Sequence, residues 1–332
     1  MGLLNMKRIG NVYNKLCDLD KIINVYKKIK SNTKNKTKLE KFEDYYCINL
    51  VNIYNTLKNH NYKIDKYNLF IIYEPKERLI LSLNLKDKII NHMVAYLLFD
   101  ILEKSLIDSN VAVRVNKGTS YGIKLIKKYI NCYKDYYVLK CDIKKYFYSI
   151  NHKKLKDLLS KKIKDKLFLN IVYKIIDSTN EEYIFEYASK HNINYLKQGY
   201  GLSIGNMTSQ ILGIFYLNDL DHYIKENLKI KHYIRYMDDL VLFHSNKLYL
   251  KECLKKIIIF LNNYDLELNN KTVITKNNLC FLGYHFYNKK IKILSKNKRR
   301  IYKKLRILKK YNLEKYNKVL SSYYGYFKIQ KY

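Results

Sequence analysis

Three aspartates hold positions from which they could carry metal-assisted chemistry on phosphates. Asp142 closes an apolar run, Tyr136 to Ile143 (YYVLKCDI), and Asp238–Asp239 interrupt a second, Lys231 to Phe243 (KHYIRYMDDLVLF). The first run reads as a strand ending on an acid. The second reads as two short strands meeting at an acid pair, a hairpin with acids at its tip. An acid at a strand end and a pair on an adjacent hairpin can hold two divalent cations about 4 Å apart, as nucleotidyl transfer requires. One cation activates an attacking 3′-hydroxyl, and the other neutralises a triphosphate and the departing pyrophosphate. Mg²⁺ suits this use because it prefers hard oxygen ligands and keeps positions open for substrate phosphates; Mn²⁺ is a possible substitute. Each part alone has a plainer use, a lone Asp as a turn or cap residue and an Asp pair as a solvated turn. Apolar residues on both sides of Tyr236-Met237-Asp238-Asp239 leave the pair no such use.

The acids need a scaffold, and the periodicity supplies one. Residues 7–60 read as helices, with apolar positions at three-to-four spacing through Leu16, Leu19, Ile22, Ile23 and Tyr26. The basic stretch Lys28 to Lys41 reads as the joint between two of them. Residues 69–83 (LFIIYEPKERLILSL) read as extended with charges at the centre, and residues 86–108 return to the helical period. After the first acid comes a helix from about His152 to Ile176, then a glycine-bearing loop, Gln198 to Gly205, and a helix across Gln210 to Asn227. Residues 248–263 are helical, Asn278 to Ile293 reads as another hairpin, and the last forty residues are basic and helical. That order suits a sheet covered on one face by helices, an α+β fold.

Charge narrows the choice of partner. The chain carries 64 Lys+Arg against 29 Asp+Glu, a net charge of +35. Nucleic acid is the first candidate, an anionic membrane the second and a solubilising bias the third. The best apolar stretch, Met93 to Phe99, falls far short of the roughly 20 residues that span a bilayer. Met1 to Asn5 lacks the charged start and apolar run of a secretion signal. The expectation is a cytoplasmic protein without a membrane partner. The six cysteines (Cys17, Cys47, Cys132, Cys141, Cys253 and Cys280) form no CxxC pair and read as reduced thiols. The 36 tyrosines can stack on bases, although so much Tyr, Lys, Asn and Ile also fits an AT-rich coding sequence.

Tyr236 to Asp239 resembles the YxDD box of reverse transcriptases, and the resemblance runs in order over nearly the whole chain. It implies a bacterial or phage enzyme with a right-hand fold. Helical fingers would occupy residues 1–135, and an antiparallel palm backed by helices residues 136–290, with a fingers insertion at about 153–197. A basic helical thumb would occupy residues 291–332. Asp142 and Asp238 would be the main metal ligands, with Asp239 accessory and Ile143 beside them. Asp142 to Phe147 resembles the first palm motif, making Phe147 the steric gate against a ribose 2′-hydroxyl. Glu74 to Arg78, and Arg114 with Lys117-Gly118-Thr119, resemble the fingers motifs that hold triphosphate and template, with Arg78 as a phosphate contact. Leu268-Asn269 with Lys271-Thr272 resembles the fourth palm motif, with Lys271 as a general acid for pyrophosphate. Phe281-Leu282-Gly283-Tyr284 is similar to a primer-grip hairpin. The tail from Lys296 to Lys310, with Arg299 and Arg300, would track a duplex backbone.

One motif departs from the common pattern. Gly201 to Gln210 (GLSIGNMTSQ) has Ile204 before Gly205 where most reverse transcriptases carry glutamine, and Ser209-Gln210 where most end in Ser-Pro. This resembles the reverse transcriptases of diversity-generating retroelements, whose copying is error-prone at template adenines. With Tyr236, these residues would line the nucleotide site. The resemblance implies RNA-directed DNA synthesis from dNTPs on a template RNA and primer, with a small basic accessory protein as partner. No maturase or DNA-binding segment is expected after residue 290. A phage-defence or unknown-role bacterial reverse transcriptase stays open, as does a non-catalytic RNA-binding scaffold. The scaffold reading is opposed by three gathered acids, which would repel one another without a metal.

Overall fold

The computed structural model describes residues 8–33, 36–74 and 76–328. Met1 to Asn5, Pro75 and the last four residues, read above, lie outside the described residues. The chain divides into two compact units. The first comprises Met1–Leu106, Lys144–Asp219 and Asn262–Leu266; the second comprises Ile107–Ile143, Leu220–Leu261 and Glu267–Tyr332. Among the described residues no helix is long and apolar enough to cross a membrane. All six cysteines are free.

In the first unit the early helical pattern resolves into Leu19–Asn32, Lys36–Glu43 and Tyr46–Lys58, so the basic stretch expected as a joint holds a short helix of its own. The expected extended segment folds back as a hairpin of β1 (Asn68–Ile72) and β2 (Arg78–Ser82). Beneath it Leu79 and Leu81 pack with Tyr67, Ile184, Ala188 and Ile193. Asn84 caps the helix Leu85–Leu102 by accepting from Asp87 N at 2.7 Å. That helix buries Ile89, Ile90, Val94, Ala95 and Leu98 completely. It is pinned to the helix Met207–Tyr216 by Asn91, whose Nδ2 donates to Thr208 Oγ1 at 2.9 Å. The single helix expected from His152 to Ile176 is two, His152–Ser160 and Lys166–Asp177. Asp165 breaks it by capping Phe168 N at 3.0 Å while also accepting from Val12 N and Tyr13 N.

The second unit is built on a four-stranded antiparallel sheet ordered β4-β5-β3-β6, with β3 (Tyr137–Asp142), β4 (His232–Tyr236), β5 (Asp239–His244) and β6 (Val273–Lys276). Its central strands are not half-polar. Val138, Leu139, Cys141 and Leu240 to Phe243 are all buried. The central strands β3 and β5 are therefore buried on both faces over most of their length, which explains their nearly continuous apolar runs, while the edge strand β6 is exposed or half-buried throughout. The helix Thr119–Asn131 sets Ile123, Ile126 and Ile130 into a core with Val138, Ile234, Val241 and Phe243. The expected second hairpin gains a strand and becomes a meander, β7 (Asn278–Phe281), β8 (Tyr284–Tyr287) and β9 (Lys290–Ile293). The basic tail forms two helices, Ser295–Tyr311 and Leu313–Lys328.

Candidate active site

The three aspartates lie in the second unit, and strand register places them. Asp142 at the end of β3 is the cross-strand partner of Asp239, the first residue of β5. Directly opposed residues share a face of the sheet with Cβ atoms roughly 5 Å apart. Tyr236 pairs with Asp239, leaving Met237 and Asp238 as a two-residue turn in which Met237 takes φ 56°. A methionine at positive φ is strained, so the surrounding contacts must hold the turn. Tyr236 itself packs on the unit's core.

Among the described residues no three His, Cys, Asp or Glu side chains form a ready cation cage. Instead there is an opposed carboxylate pair with a third acid on the adjoining turn. Such a partial oxygen shell fits Mg²⁺, which keeps water and takes ligands from substrate phosphates rather than demanding an all-protein cage. Ile143 is buried and apolar, so only its main-chain carbonyl could serve a metal.

The loop bearing Lys271 hangs from the same strand end. Asn269 N donates to Asp142 O at 2.6 Å, Ile143 bridges to Leu268, and Thr272 N donates to Asn269 O at 3.0 Å. Lys271 is exposed on this loop. Sequence reasoning missed Lys140, two residues before Asp142 on the same face of β3. Its Nζ lies 3.5 Å from Asp239 Oδ1, donates to Cys280 O at 3.2 Å and sits 5.8 Å from the Phe281 ring centroid. Alternation along the strand was the available signal, since a charged residue at i−2 must share the acid's face.

The β7–β8 turn is tight. Phe281 pairs with Tyr284, and Leu282 and Gly283 both take positive φ, 50° and 86°. Phe281 is buried in the core, so Leu282 and the main chain at Gly283 are what this turn presents. Leu282 packs closely over Gly122, where an added Cβ would stand 2.8 Å from Leu282 Cδ1. Gly283 O accepts from Tyr326 OH at 3.0 Å, so the last helix holds this turn. Arg299 and Arg300 are exposed on the helix before it.

Arg114 and Lys117, expected to hold triphosphate or template, bond within their own loop. Arg114 Nη1 donates to Ile107 O at 2.7 Å and Asn110 O at 3.0 Å. Lys117 Nζ donates to Asp108 Oδ1 at 2.7 Å, and with Tyr121 holds that carboxyl below the usual carboxylate range.

Five of the six residues expected at the nucleotide lie in the first unit. Arg78 opens β2 and is exposed. The neighbouring Leu79 N donates to Tyr148 OH at 3.1 Å, tying the hairpin to the segment that carries Phe147. The loop from Gly201 runs along that segment, with Leu202 N donating to Phe147 O at 2.8 Å and Gly201 N to Ile150 O at 2.9 Å. Ile204 is half-buried, Gly205 (φ 112°) is exposed beside Ile80, and Gln210 is exposed. Ser209 turns inward to Ser203 Oγ at 3.0 Å. His152, also missed, is buried and donates through Nε2 to Gly201 O at 2.7 Å; burial pushes its imidazole pKa down.

Solved structures share the fold. The chain is similar to Candida tropicalis telomerase truncated from its C-terminal domain, with TM-score 0.50 and 16% identity over 72% of this chain and 58% of that one. It is similar also to Candida albicans telomerase in complex with a TWJ fragment of telomeric RNA, with TM-score 0.51 and 14% identity over 83% and 56%. Identities this low speak for the fold, which is the right-hand polymerase fold. The family model for reverse transcriptase (RNA-dependent DNA polymerase) matches residues 56–286, and the chain belongs to that family. A Saccharomyces cerevisiae protein named for COX1/OXI3 intron 2 is 28% identical over 146 residues, 44% of this chain and 16% of that protein. An uncharacterized 91 kDa protein in the cob intron of Schizosaccharomyces pombe is 42% identical over 88 residues, 26% of this chain and 10% of that protein. The chain thus spans a small part of these curated relatives.

Proposed function

We propose that this chain is an RNA-directed DNA polymerase, adding dNTPs to a primer 3′-hydroxyl on an RNA template by two-metal nucleotidyl transfer. The observation that carries the reading is the register that opposes Asp142 to Asp239 and sets Asp238 on the adjoining turn. Asp142, Asp238 and the Ile143 carbonyl would hold the cations, with Asp239 accessory; bound Mg²⁺ would supply hydroxyl activation and charge neutralisation. Lys271 would protonate pyrophosphate, and Arg78 would meet the triphosphate. Leu282, Gly283, Arg299 and Arg300 would meet primer and duplex. Fingers, palm and thumb would follow the divisions expected from the sequence.

Lys140 bears on the metal's affinity. Its ammonium and the cation compete for Asp239, so Lys140→Met is expected to lower the half-saturating Mg²⁺ concentration roughly two- to fivefold, as fits a partly exposed ion pair. Unchanged half-saturation would mean that the ammonium does not compete.

We infer further that copying is error-prone at template adenines, as in a diversity-generating retroelement with a structured template RNA and a small basic accessory protein. Ile204 and the exposed Gln210 support this. An apolar Ile204 cannot hydrogen-bond the sugar or base-pair edge, and a missing contact of about 1–2 kcal/mol erodes discrimination roughly tenfold. Ile204→Gln should lower adenine errors by about that factor in sequenced products; an unchanged error spectrum would remove Ile204 from the explanation. A second reading, an intron-associated enzyme, is favoured by the curated relatives, which are named for introns. Faithful copying by the wild type would favour it.

A further inference from the structure

The residue just before the Tyr236-to-Asp239 string is an arginine with no exposed surface, an unusual place for a cation. Arg235 meets Asp221 edge to edge. Nε donates to Oδ1 at 2.7 Å and Nη2 to Oδ2 at 2.6 Å, while Tyr233 OH donates to Oδ1 at 2.7 Å. Asp221, like Arg235, is fully buried. The main chain of Arg235 is fixed as well, its N donating to Ser109 O and its O accepting from Val111 N, both at 3.0 Å. One edge of the guanidinium is thus used on Asp221, and the remaining Nη1 donates to Met237 O at 2.8 Å.

That carbonyl belongs to the peptide joining Met237 to Asp238. Holding it fixes the peptide plane from which Asp238 departs, at the residue whose positive φ would otherwise relax. Only a planar fork can bind a carboxylate with one edge and a carbonyl with the other.

We propose that Arg235, braced by Asp221 and Tyr233, is a positioning residue that sets the Met237–Asp238 peptide and so aims Asp238 at its cation. The inference rests on the reading of Asp238 as a metal ligand. Buried ion pairs add little net stability, and replacing a whole pair by apolar residues is often neutral, whereas removing one partner leaves a buried charge. The informative variant therefore removes all three polar groups together.

The test compares wild type, Asp238→Asn, Arg235→Lys and the triple variant Tyr233→Phe/Asp221→Leu/Arg235→Met in the full chain. It measures thermal unfolding, Mn²⁺ binding by electron paramagnetic resonance, and kcat and KM for dNTP on a primed RNA template. The triple variant should unfold cooperatively, bind Mn²⁺ several-fold more weakly, and lose roughly thirtyfold in kcat with little change in KM, as expected for one lost charge-assisted hydrogen bond. Arg235→Lys keeps the charge but cannot span both acceptors. It should show the same direction of change, and it carries the test if the triple variant does not fold. Wild-type Mn²⁺ binding and kcat in whichever of these folds would overturn the proposal alone. Undiminished extension by Asp238→Asn would overturn the reading beneath it as well.

Discussion

Asp238→Ala is expected to abolish primer extension to roughly 10³-fold below wild type or lower, about 4 kcal/mol of lost transition-state stabilisation. Asp142→Ala should fall equally far. Asp239→Ala should lose less, because part of its charge is already engaged by Lys140 at 3.5 Å. The stability effect should have the opposite sign. Opposed carboxylates repel, so removing one should leave the unfolding midpoint equal to or above that of wild type. Loss of extension with a preserved or raised midpoint identifies acids kept for chemistry. A large fall in the midpoint would mark them as structural.

The second large effect concerns the sugar. Phe147→Ala is expected to raise ribonucleotide incorporation relative to deoxyribonucleotide by roughly 10²-fold, the scale on which a shaped pocket rejects one added hydroxyl. A steric gate must be rigid, and this ring is. A Cβ on Gly213 would stand 3.2 Å from Phe147 Cε1, and the ring lies edge-on to Tyr146 at 5.6 Å between centroids. Tyr146 is itself buried and donates to Gly213 O at 2.5 Å. Competition between rNTP and dNTP in single-turnover extension measures the ratio. An unchanged ratio in Phe147→Ala would reduce the ring to packing.

What could be read from the sequence follows from where the physics is local. The acid-tipped hairpin and the strand ending on Asp142 were legible because apolar runs interrupted by acids have few alternatives. The break at Lys161–Asp165 was not, since no glycine or proline marks it and the cap signal of Asp165 depends on where the chain near Val12 returns. The third strand of the meander escaped because β9 is half lysine and buries only Ile293. The bonds of Arg114 to loop carbonyls and of Lys117 to Asp108 depend on how residues 107–117 fold back on themselves, which no local pattern announces. Arg235 and Asp221 stand fourteen residues apart, and nothing in either neighbourhood announces a buried pair.

Primer extension on an RNA template with Mg²⁺ and dNTPs, comparing wild type with the double variant Asp238→Ala/Asp239→Ala, tests the metal site and its polymerase chemistry most directly. Extension by the wild type and none by the double variant, with both proteins folded, is the expected result. Equal extension by the two, or none by either even with cognate RNA and an accessory protein supplied, would contradict it.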